Sequence, residues 1–486
     1  MGNETNTRRE AAIKDFSEIV RKYILPMFDI RGSIKFIENT APIINSELIL
    51  IQEEKSGTVG MFFPKIGTEE DPAPFFYKIG LCYVDSVKRA AEITLRELLK
   101  VAEYKFSSDF VKKNHYGINE HSNISYKRRV FDLAYELGMC RSLTAKDEDA
   151  IVLHTVISRM IEWAGRTYEG KNVPFGIVVD FSIPESEKSA DYLHFLENDC
   201  SAVFTDGIFT GIQLDRKGKI KSFLTRESVP EKVIEGHDVF VPFQFADLAR
   251  FCIDSAVGII ALTNGEILLI KNQAVRYAKR GRKWVFFDWD RVYGNLRPYF
   301  LRAIPNEKRR PEDEQEVLFK IKEIYCTLLD VSFSHSGGCL AIVLPEYDAQ
   351  VEKVVKERID LLAQGDSIKG LNAAVREKVQ VLTHLLSYPG NKMRSFFATE
   401  KQLRREILSL DGATVVSPNG SFYCAGSIVA VSGGSTGGGR TAAAKNLAQF
   451  GVGIKISEDG YIEAWGAPIW GKSEKPDRLI RLFSLK

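Results

Sequence analysis

A glycine-rich stretch near the C-terminus has the residue types that hold a phosphate group. Residues 432–448 read SGGSTGGGRTAAAKNLA, in which five glycines, two serines and a threonine precede Arg440 and a helix-forming run. Glycine lets backbone N–H groups approach an anion, a helix N-terminus adds partial positive charge, and arginine grips phosphate oxygens. The stretch therefore predicts a phosphate-binding loop, with a flexible strand-to-helix turn as the alternative. The candidate residues are Gly437, Gly438, Gly439, Arg440 and Thr441.

The loop matches neither the P-loop pattern GxxxxGK[ST] nor the dinucleotide pattern GxGxxG. Two acidic stretches accompany it, Asp411-Gly412-Ala413 and Ser457-Glu458-Asp459-Gly460. A carboxylate beside small residues can hold a divalent cation or orient a hydroxyl group. The same compositions are typical of turns, which is the alternative for both. The further candidate residues are Asp411, Gly412, Ala413, Ser457 and Glu458.

Two regions of the chain contain the same succession of predicted elements: a helix, a buried strand, a hairpin, a helix and a second hairpin. We interpret them as an internal duplication, and the alternative is that any two α/β domains look similar. The matched segments are FGIVVD (175–180) with LAIVLP (340–345), residues 205–220 with 410–428, and AVGIIALTNGEI (256–267) with GVGIKISEDGYI (451–462).

This organisation predicts an α/β fold of two duplicated mixed-sheet units, 149–302 and 303–486, preceded by an α+β domain over 1–148. In the N-terminal domain, helical apolar spacing at 9–25 and 88–104 accompanies a short strand pattern at 46–51. No chemistry is evident in that domain.

Composition excludes several classes of protein. The chain has 66 basic and 64 acidic residues, a net charge of +2, so no overall field favours nucleic acid or an anionic membrane. The seven cysteines form no CxxC pair, which argues against a disulfide framework and a thiolate zinc site. The absence of an apolar signal at the N-terminus and of any 18-residue apolar run predicts a cytoplasmic protein.

The order of the motifs resembles the diadenylate cyclase domain, the nucleotide-binding domain of the DNA integrity scanning protein and its relatives. The family pattern is DGA, GTRHRAA and SEE. Here DGATVV (411–416) matches the first motif fully, GGRTAAA (438–444) matches the second in part, and SED (457–459) matches the third conservatively. The resemblance covers about 303–465 with motifs and 149–290 as a degenerate copy.

The resemblance implies that two facing domains condense two ATP molecules into cyclic di-AMP with Mg²⁺ or Mn²⁺. It implies that Asp411 binds metal or activates a hydroxyl, that Gly412 and Ala413 lie close to the nucleotide, that Arg440 holds phosphate and that Glu458 supports the metal or adenine. Thr441 and Ala442 stand where the family has His and a second Arg. The loss of phosphate-handling groups threatens catalysis more than binding.

Three functions follow as hypotheses. The first is a sensor that binds ATP or a cyclic dinucleotide through the second copy, with weakened or lost catalysis. The second is an active diadenylate cyclase. The third is a structural relic without a ligand. The first copy has Asp206-Gly207-Ile208 and Leu262-Thr263-Asn264 at the motif positions, so a cyclase would require a homodimer of second copies.

Overall fold

The structure, a computed structural model, describes part of the chain. The described residues are 34–37, 49–53, 57–62, 76–81, 136–164, 167–168, 171–172, 174–185, 204–229, 239–305, 309–355, 373–387, 393–429, 438–467 and 479–486.

Internal contacts divide the chain into two compact units. The first comprises Met1–Val239 and Gln244–Asp288, and the second comprises Phe240–Phe243 and Trp289–Lys486. The helix Trp289–Arg302 thus belongs to the second unit, whereas the boundary predicted after residue 302 assigned it to the first.

Four strands of the N-terminal region form an antiparallel sheet in the order β1-β4-β3-β2. Strand β2 overlaps the strand predicted at 46–51, while the helices predicted at 9–25 and 88–104 lie outside the described residues. The strands are β1 (Ile34–Ile37), β2 (Ile49–Glu53), β3 (Gly57–Phe62) and β4 (Phe76–Leu81).

The remainder of the first unit builds a seven-stranded mixed sheet, with the two-stranded β5-β6 ribbon apart from it. Its elements are α1 (Asp147–Trp163), β5 (Thr167–Tyr168), β6 (Lys171–Asn172), β7 (Phe175–Asp180), β8 (Thr210–Leu214), β9 (Ile220–Thr225), α2 (Ala246–Ala249), β10 (Ala256–Ala261), β11 (Ile267–Lys271), β12 (Ala274–Arg280) and β13 (Lys283–Phe286).

The second unit builds a six-stranded mixed sheet and has more helices than the first unit among the described residues. Its elements are α3 (Trp289–Arg302), α4 (Pro311–Phe333), β14 (Gly338–Val343), α5 (Asp348–Val354), α6 (Ala373–Ser387), α7 (Lys401–Leu408), β15 (Ala413–Val416), β16 (Phe422–Ser427), α8 (Gly438–Leu447), β17 (Gly451–Ile456), β18 (Ile462–Gly466) and β19 (Ile480–Leu485).

The two mixed sheets have corresponding strand orders. The first runs β13-β12-β11-β10-β7-β8-β9 and the second runs β19-β18-β17-β14-β15-β16. In each sheet one pair is parallel, β7 with β8 and β14 with β15, and every other pair is antiparallel. Helices combined with mixed sheets confirm the predicted α/β class.

The central strands are buried on both faces, as their continuous apolar runs predict. Strand β7 has the predicted bounds, but β14 covers Gly338–Val343 instead of 340–345. Pro345 begins a 3₁₀ turn and has no N–H for a sheet, and Leu408 O lies 2.5 Å from where a Cβ on Gly338 would stand. The strand therefore starts at Gly338. Phe175 in β7 and Gly338 in β14 occupy equivalent positions in their own sheets, opposite Ala261 and Ile456 respectively.

Helices cover both faces of the second sheet. On one face, Ala341 and Val415 share a core cluster with Ala444 and Leu447 of α8. On the other face, Thr414 Oγ1 donates to the Ile407 carbonyl of α7 at 3.3 Å. The result is a three-layer unit in which α8 and α7 approach the sheet from opposite sides.

Gly453 sets how closely α8 approaches the sheet, because a Cβ there would collide with the Ala444 carbonyl oxygen. We expect Gly453→Ala to lower the free energy of unfolding by about 1–3 kcal/mol through overpacking. Gly439→Ala is the matched control, since nothing lies within 4 Å of its Cβ position, and it should stabilise the helix by up to about 1 kcal/mol. Urea unfolding measures both variants, and equal stabilities would contradict the close packing.

The described cysteines, Cys140, Cys252, Cys326, Cys339 and Cys424, are buried free thiols. Among the described residues, no helix is both long enough and apolar enough to cross a lipid bilayer.

Candidate functional site

The motif residues of the second unit meet at one edge of its sheet. Gly338 lies opposite Ile456 across β14 and β17, and the parallel register of β14 with β15 brings Gly338 level with Gly412. The starts of β14 and β15 and the end of β17 therefore share this edge. We call it the site edge and define it by the loops 334–337, 409–412 and 457–460.

Hydrogen bonds join the three loops of the site edge. Ser336 Oγ and Ser409 Oγ are 2.7 Å apart, and Ser332 Oγ at the end of α4 donates to Gly460 O at 2.5 Å. His335 Nδ1 lies 2.8 Å from Glu458 O. Because a carbonyl oxygen only accepts, the imidazole must donate from Nδ1. The loops thus form one connected polar surface.

An ion pair dominates the charge of the site edge. Arg440 Nη1, in the first turn of α8, donates to Glu458 Oε1 at 2.8 Å. The Arg440 side chain is 29% exposed and that of Glu458 is 71% exposed. The buried Nε of Arg440 has no hydrogen-bond partner within the described part of the chain. The arginine is therefore held in place with unused donor capacity, and its carboxylate partner stands in solvent.

Gly337 makes room for this pair. A Cβ at Gly337 would lie 2.7 Å from Arg440 Nη1 and 3.2 Å from Glu458 Cγ, and its φ of +67° favours glycine. At the start of α8, a Cβ on Gly438 or on Gly439 would have no atom of the described residues within 4 Å. Arg440 thus lies in the first turn of a helix whose N-terminal end carries partial positive charge. Gly437 lies outside the described residues.

The DGA motif combines an accessible carboxylate with residues required by packing. Asp411 is exposed, and its carboxylate has no partner among the described residues. Gly412 has a φ of +106°, and a Cβ there would lie 2.6 Å from Gly426 C and Ser427 O on β16. Ala413 belongs to the core cluster under α8. The small residues after Asp411 therefore have a structural explanation within the sheet.

Thr441 and Ala442 point away from the accessible surface. They are 8% and 9% exposed, and no described residue forms a hydrogen bond with the buried Oγ1 of Thr441. These are the positions where the diadenylate cyclase pattern has His and Arg. Neither position contributes a charge to the site edge.

The two candidate metal ligands lie apart. Asp411 lies two residues before β15 and Ser457 lies one residue after β17, and these two strands flank β14. Two strand spacings, about 10 Å, therefore separate Asp411 from Ser457, the neighbour of Glu458. Glu458 is already paired with Arg440, a neighbour that disfavours a cation. Within the described part of the chain, no cluster of three or more His, Cys, Asp or Glu residues could hold a metal ion. Asp411 alone fits Mg²⁺, which uses one or two carboxylates when phosphates supply other ligands.

His335 is a site-edge residue that is not among the candidate residues predicted from the sequence. Its φ of +54° is unusual for a non-glycine residue, and it fixes the backbone of Glu458. The polar, glycine-containing run Ser334-His335-Ser336-Gly337 between α4 and β14 was the available signal.

The first unit has a different edge at the corresponding place. Ile212 lies opposite Ile177 in the first sheet, and Thr414 lies opposite Leu340 in the second. Because these two pairs are equivalent, Phe209 occupies the position in the first unit that Asp411 occupies in the second. Phe209 is 64% exposed. Asp206 and Asp411 therefore do not occupy equivalent positions, because Asp206 lies further from the start of β8 than Asp411 lies from the start of β15.

The Asp206 carboxylate serves its own turn. Its Oδ1 accepts from the N–H groups of Ile208, Phe209 and Thr210 at 2.9–3.0 Å. Burial acts in the opposite direction, but these bonds lower the pKa of Asp206 below its usual value. At the other motif position, Leu262, Thr263 and Asn264 form the turn that Ser457, Glu458 and Asp459 form in the second unit. The first unit thus has no arginine–glutamate site of this kind among its described residues.

Comparisons with protein-family models, with curated proteins and with solved structures found no match to this chain.

Proposed function

We propose that the second unit binds an adenine nucleotide or a cyclic dinucleotide at the site edge and acts as a sensor with weakened or lost catalysis. The observation that carries the proposal is the position of Arg440 in the first turn of α8, from which its guanidinium reaches the site edge at Glu458. A guanidinium close to a helix N-terminus favours a phosphate. The adenine part of the proposal rests on the resemblance of the three motifs.

We also propose that the two units are copies of one diadenylate-cyclase-like unit. The corresponding strand orders and the shared parallel pair support this. The turns after β10 and β17 have the same hydrogen bonds, with Leu262 N bonded to Glu266 O and Ser457 N bonded to Tyr461 O. The first copy then holds no ligand at this edge, and one ligand binds per chain.

The sensor is favoured over a cyclase by what surrounds Arg440. Nucleotidyl transfer needs charge stabilisation at the reacting phosphate, and loss of a single donor costs about 10²–10³ in rate. The buried Thr441 and Ala442 supply none. A cyclase would in addition need a homodimer that brings two second copies together. When Mg²⁺ or Mn²⁺ accompanies the nucleotide, it would neutralise phosphate charge beside Asp411.

Arg440→Ala tests the binding site. Hydrogen bonds to charged groups contribute about 1.5–3 kcal/mol, so we expect the dissociation constant for ATP or cyclic di-AMP to rise about tenfold to a hundredfold in calorimetric titration. Arg302→Ala is the matched control, because Arg302 pairs with Glu346 at the same distance of 2.8 Å elsewhere in this unit. Equal weakening in the control, or no nucleotide binding by the wild-type chain, would overturn the proposal.

Incubation with ATP and Mn²⁺ separates the sensor from the cyclase. The sensor predicts no cyclic di-AMP by chromatography, whereas a product that Asp411→Ala abolishes would establish the cyclase. The absence of both product and binding would leave the structural relic.

A further inference from the structure

We infer that Glu458 is an internal anion that occupies the phosphate position at Arg440, and that a ligand must bring a phosphate group to replace it. The inference rests on the proposed nucleotide site and names the chemical group that the site recognises. Its structural basis is the Arg440 Nη1 to Glu458 Oε1 hydrogen bond of 2.8 Å at the first turn of α8.

The pair has the features of an exchangeable contact. The Glu458 side chain is 71% exposed, so its carboxylate can move into solvent without desolvation of another group. An exposed ion pair contributes little to stability, and a phosphate outcompetes it because it offers more charge and more acceptor oxygens. The Nε of Arg440 has no hydrogen-bond partner among the described residues, so the carboxylate leaves this donor unused.

The backbone of Glu458 stays fixed while its side chain is exchangeable. Its carbonyl oxygen accepts from His335 Nδ1, and the following turn is held by the Ser332 Oγ bond to Gly460 O. A side chain anchored in this way returns to Arg440 when the ligand leaves. Without a ligand, Glu458 therefore neutralises Arg440. An anion that binds Arg440 no more tightly than a carboxylate does not displace Glu458.

Glu458→Gln removes the competing charge and keeps the backbone bonds that hold the loop. AMP and adenosine are the probes, because they share base and sugar and differ in the phosphate. Calorimetric titration of the full chain should show about two- to fivefold tighter AMP binding by the variant, the factor expected when an exposed ion pair no longer competes. Adenosine affinity should not change. Glu346→Gln is the control, because it removes the carboxylate that pairs with Arg302 at 2.8 Å, and it should change the affinity for neither AMP nor adenosine.

The outcomes separate this inference from the proposed function. If nucleotide binds and Arg440→Ala weakens it, but Glu458→Gln leaves AMP affinity unchanged or tightens adenosine equally, the internal-anion role is wrong and the nucleotide site stands. If neither the wild-type chain nor Glu458→Gln binds AMP, ATP or cyclic di-AMP, the proposed function itself fails.

Discussion

Replacement of Arg404 by methionine is expected to lower the free energy of unfolding of the second unit by about 3–5 kcal/mol. Arg404 on α7 pairs with Glu323 on α4, and the two side chains are only 2% and 8% exposed. The guanidinium carbon also lies 5.5 Å from the centre of the Phe396 ring. Methionine fills much of the volume but leaves the Glu323 carboxylate buried without its counter-charge. Urea unfolding of the full chain measures the loss.

The paired change Glu323→Leu with Arg404→Met should recover much of this loss, because buried ion pairs are often replaceable by apolar residues of similar volume. Arg405→Met is the control on the same helix, since Arg405 is partly exposed, pairs with the exposed Glu406 and should change stability by less than about 1 kcal/mol. A double variant no more stable than Arg404→Met would contradict the account of an uncompensated buried charge.

The position of the Glu323–Arg404 pair connects stability to the site edge. Helix α4 ends just before the loop 334–337, and α7 ends just before the loop 409–412. A buried pair that joins these helices fixes the origins of both loops. The Ser336–Ser409 bond then continues the connection at the surface. We therefore expect Arg404→Met to weaken nucleotide binding as well, although Arg404 does not belong to the site edge.

The apolar patterns predicted the strands well where neighbouring residues agreed with them. FGIVVD gave β7 with its observed bounds, and both strand-turn-strand segments of each unit form hairpins. The apolar pattern placed the start of β14 two residues too late, because a glycine does not contribute to such a pattern. Gly338 belongs to the strand because the carbonyl oxygen of Leu408 packs where a side chain would stand. Such a contact is tertiary and leaves no local signal.

The candidate site was predictable in its residue types but not in its pairings. Arg440 and Glu458 were each identified from composition, yet their ion pair spans 18 residues and depends on the register of β14 with β17. The apparent match of Asp206 to Asp411 failed because a longer loop lets Asp206 bond its own turn. His335 was missed because its role arises from a contact with a backbone carbonyl, to which sequence spacing gives no guide.

Asp330 is expected to make the stability of the second unit depend on pH. Burial raises the pKa of this α4 carboxyl to about 7, although the Phe243 N–H, which donates to Oδ1 at 2.7 Å, and nearby Lys401 lower it. In the unfolded chain the pKa is about 3.9. Between these values the folded protein holds a proton that the unfolded chain has lost. Its stability therefore falls as pH rises from about 4 to 7, by an amount on the order of 4 kcal/mol.

Asp330→Asn should remove this dependence, because the amide oxygen still accepts from the Phe243 N–H and the side chain no longer ionises. Urea unfolding should show near-equal stabilities of variant and wild type at pH 4 and a variant more stable by up to about 4 kcal/mol at pH 8. Asp459→Asn, an exposed turn position, is the control and should keep the wild-type profile. A lower stability of Asp330→Asn at pH 8 would mean that the ionised carboxylate stabilises the fold through its cationic neighbours. In that case the electrostatic attraction of Lys401, Arg404 and Arg405 would outweigh the burial of Asp330.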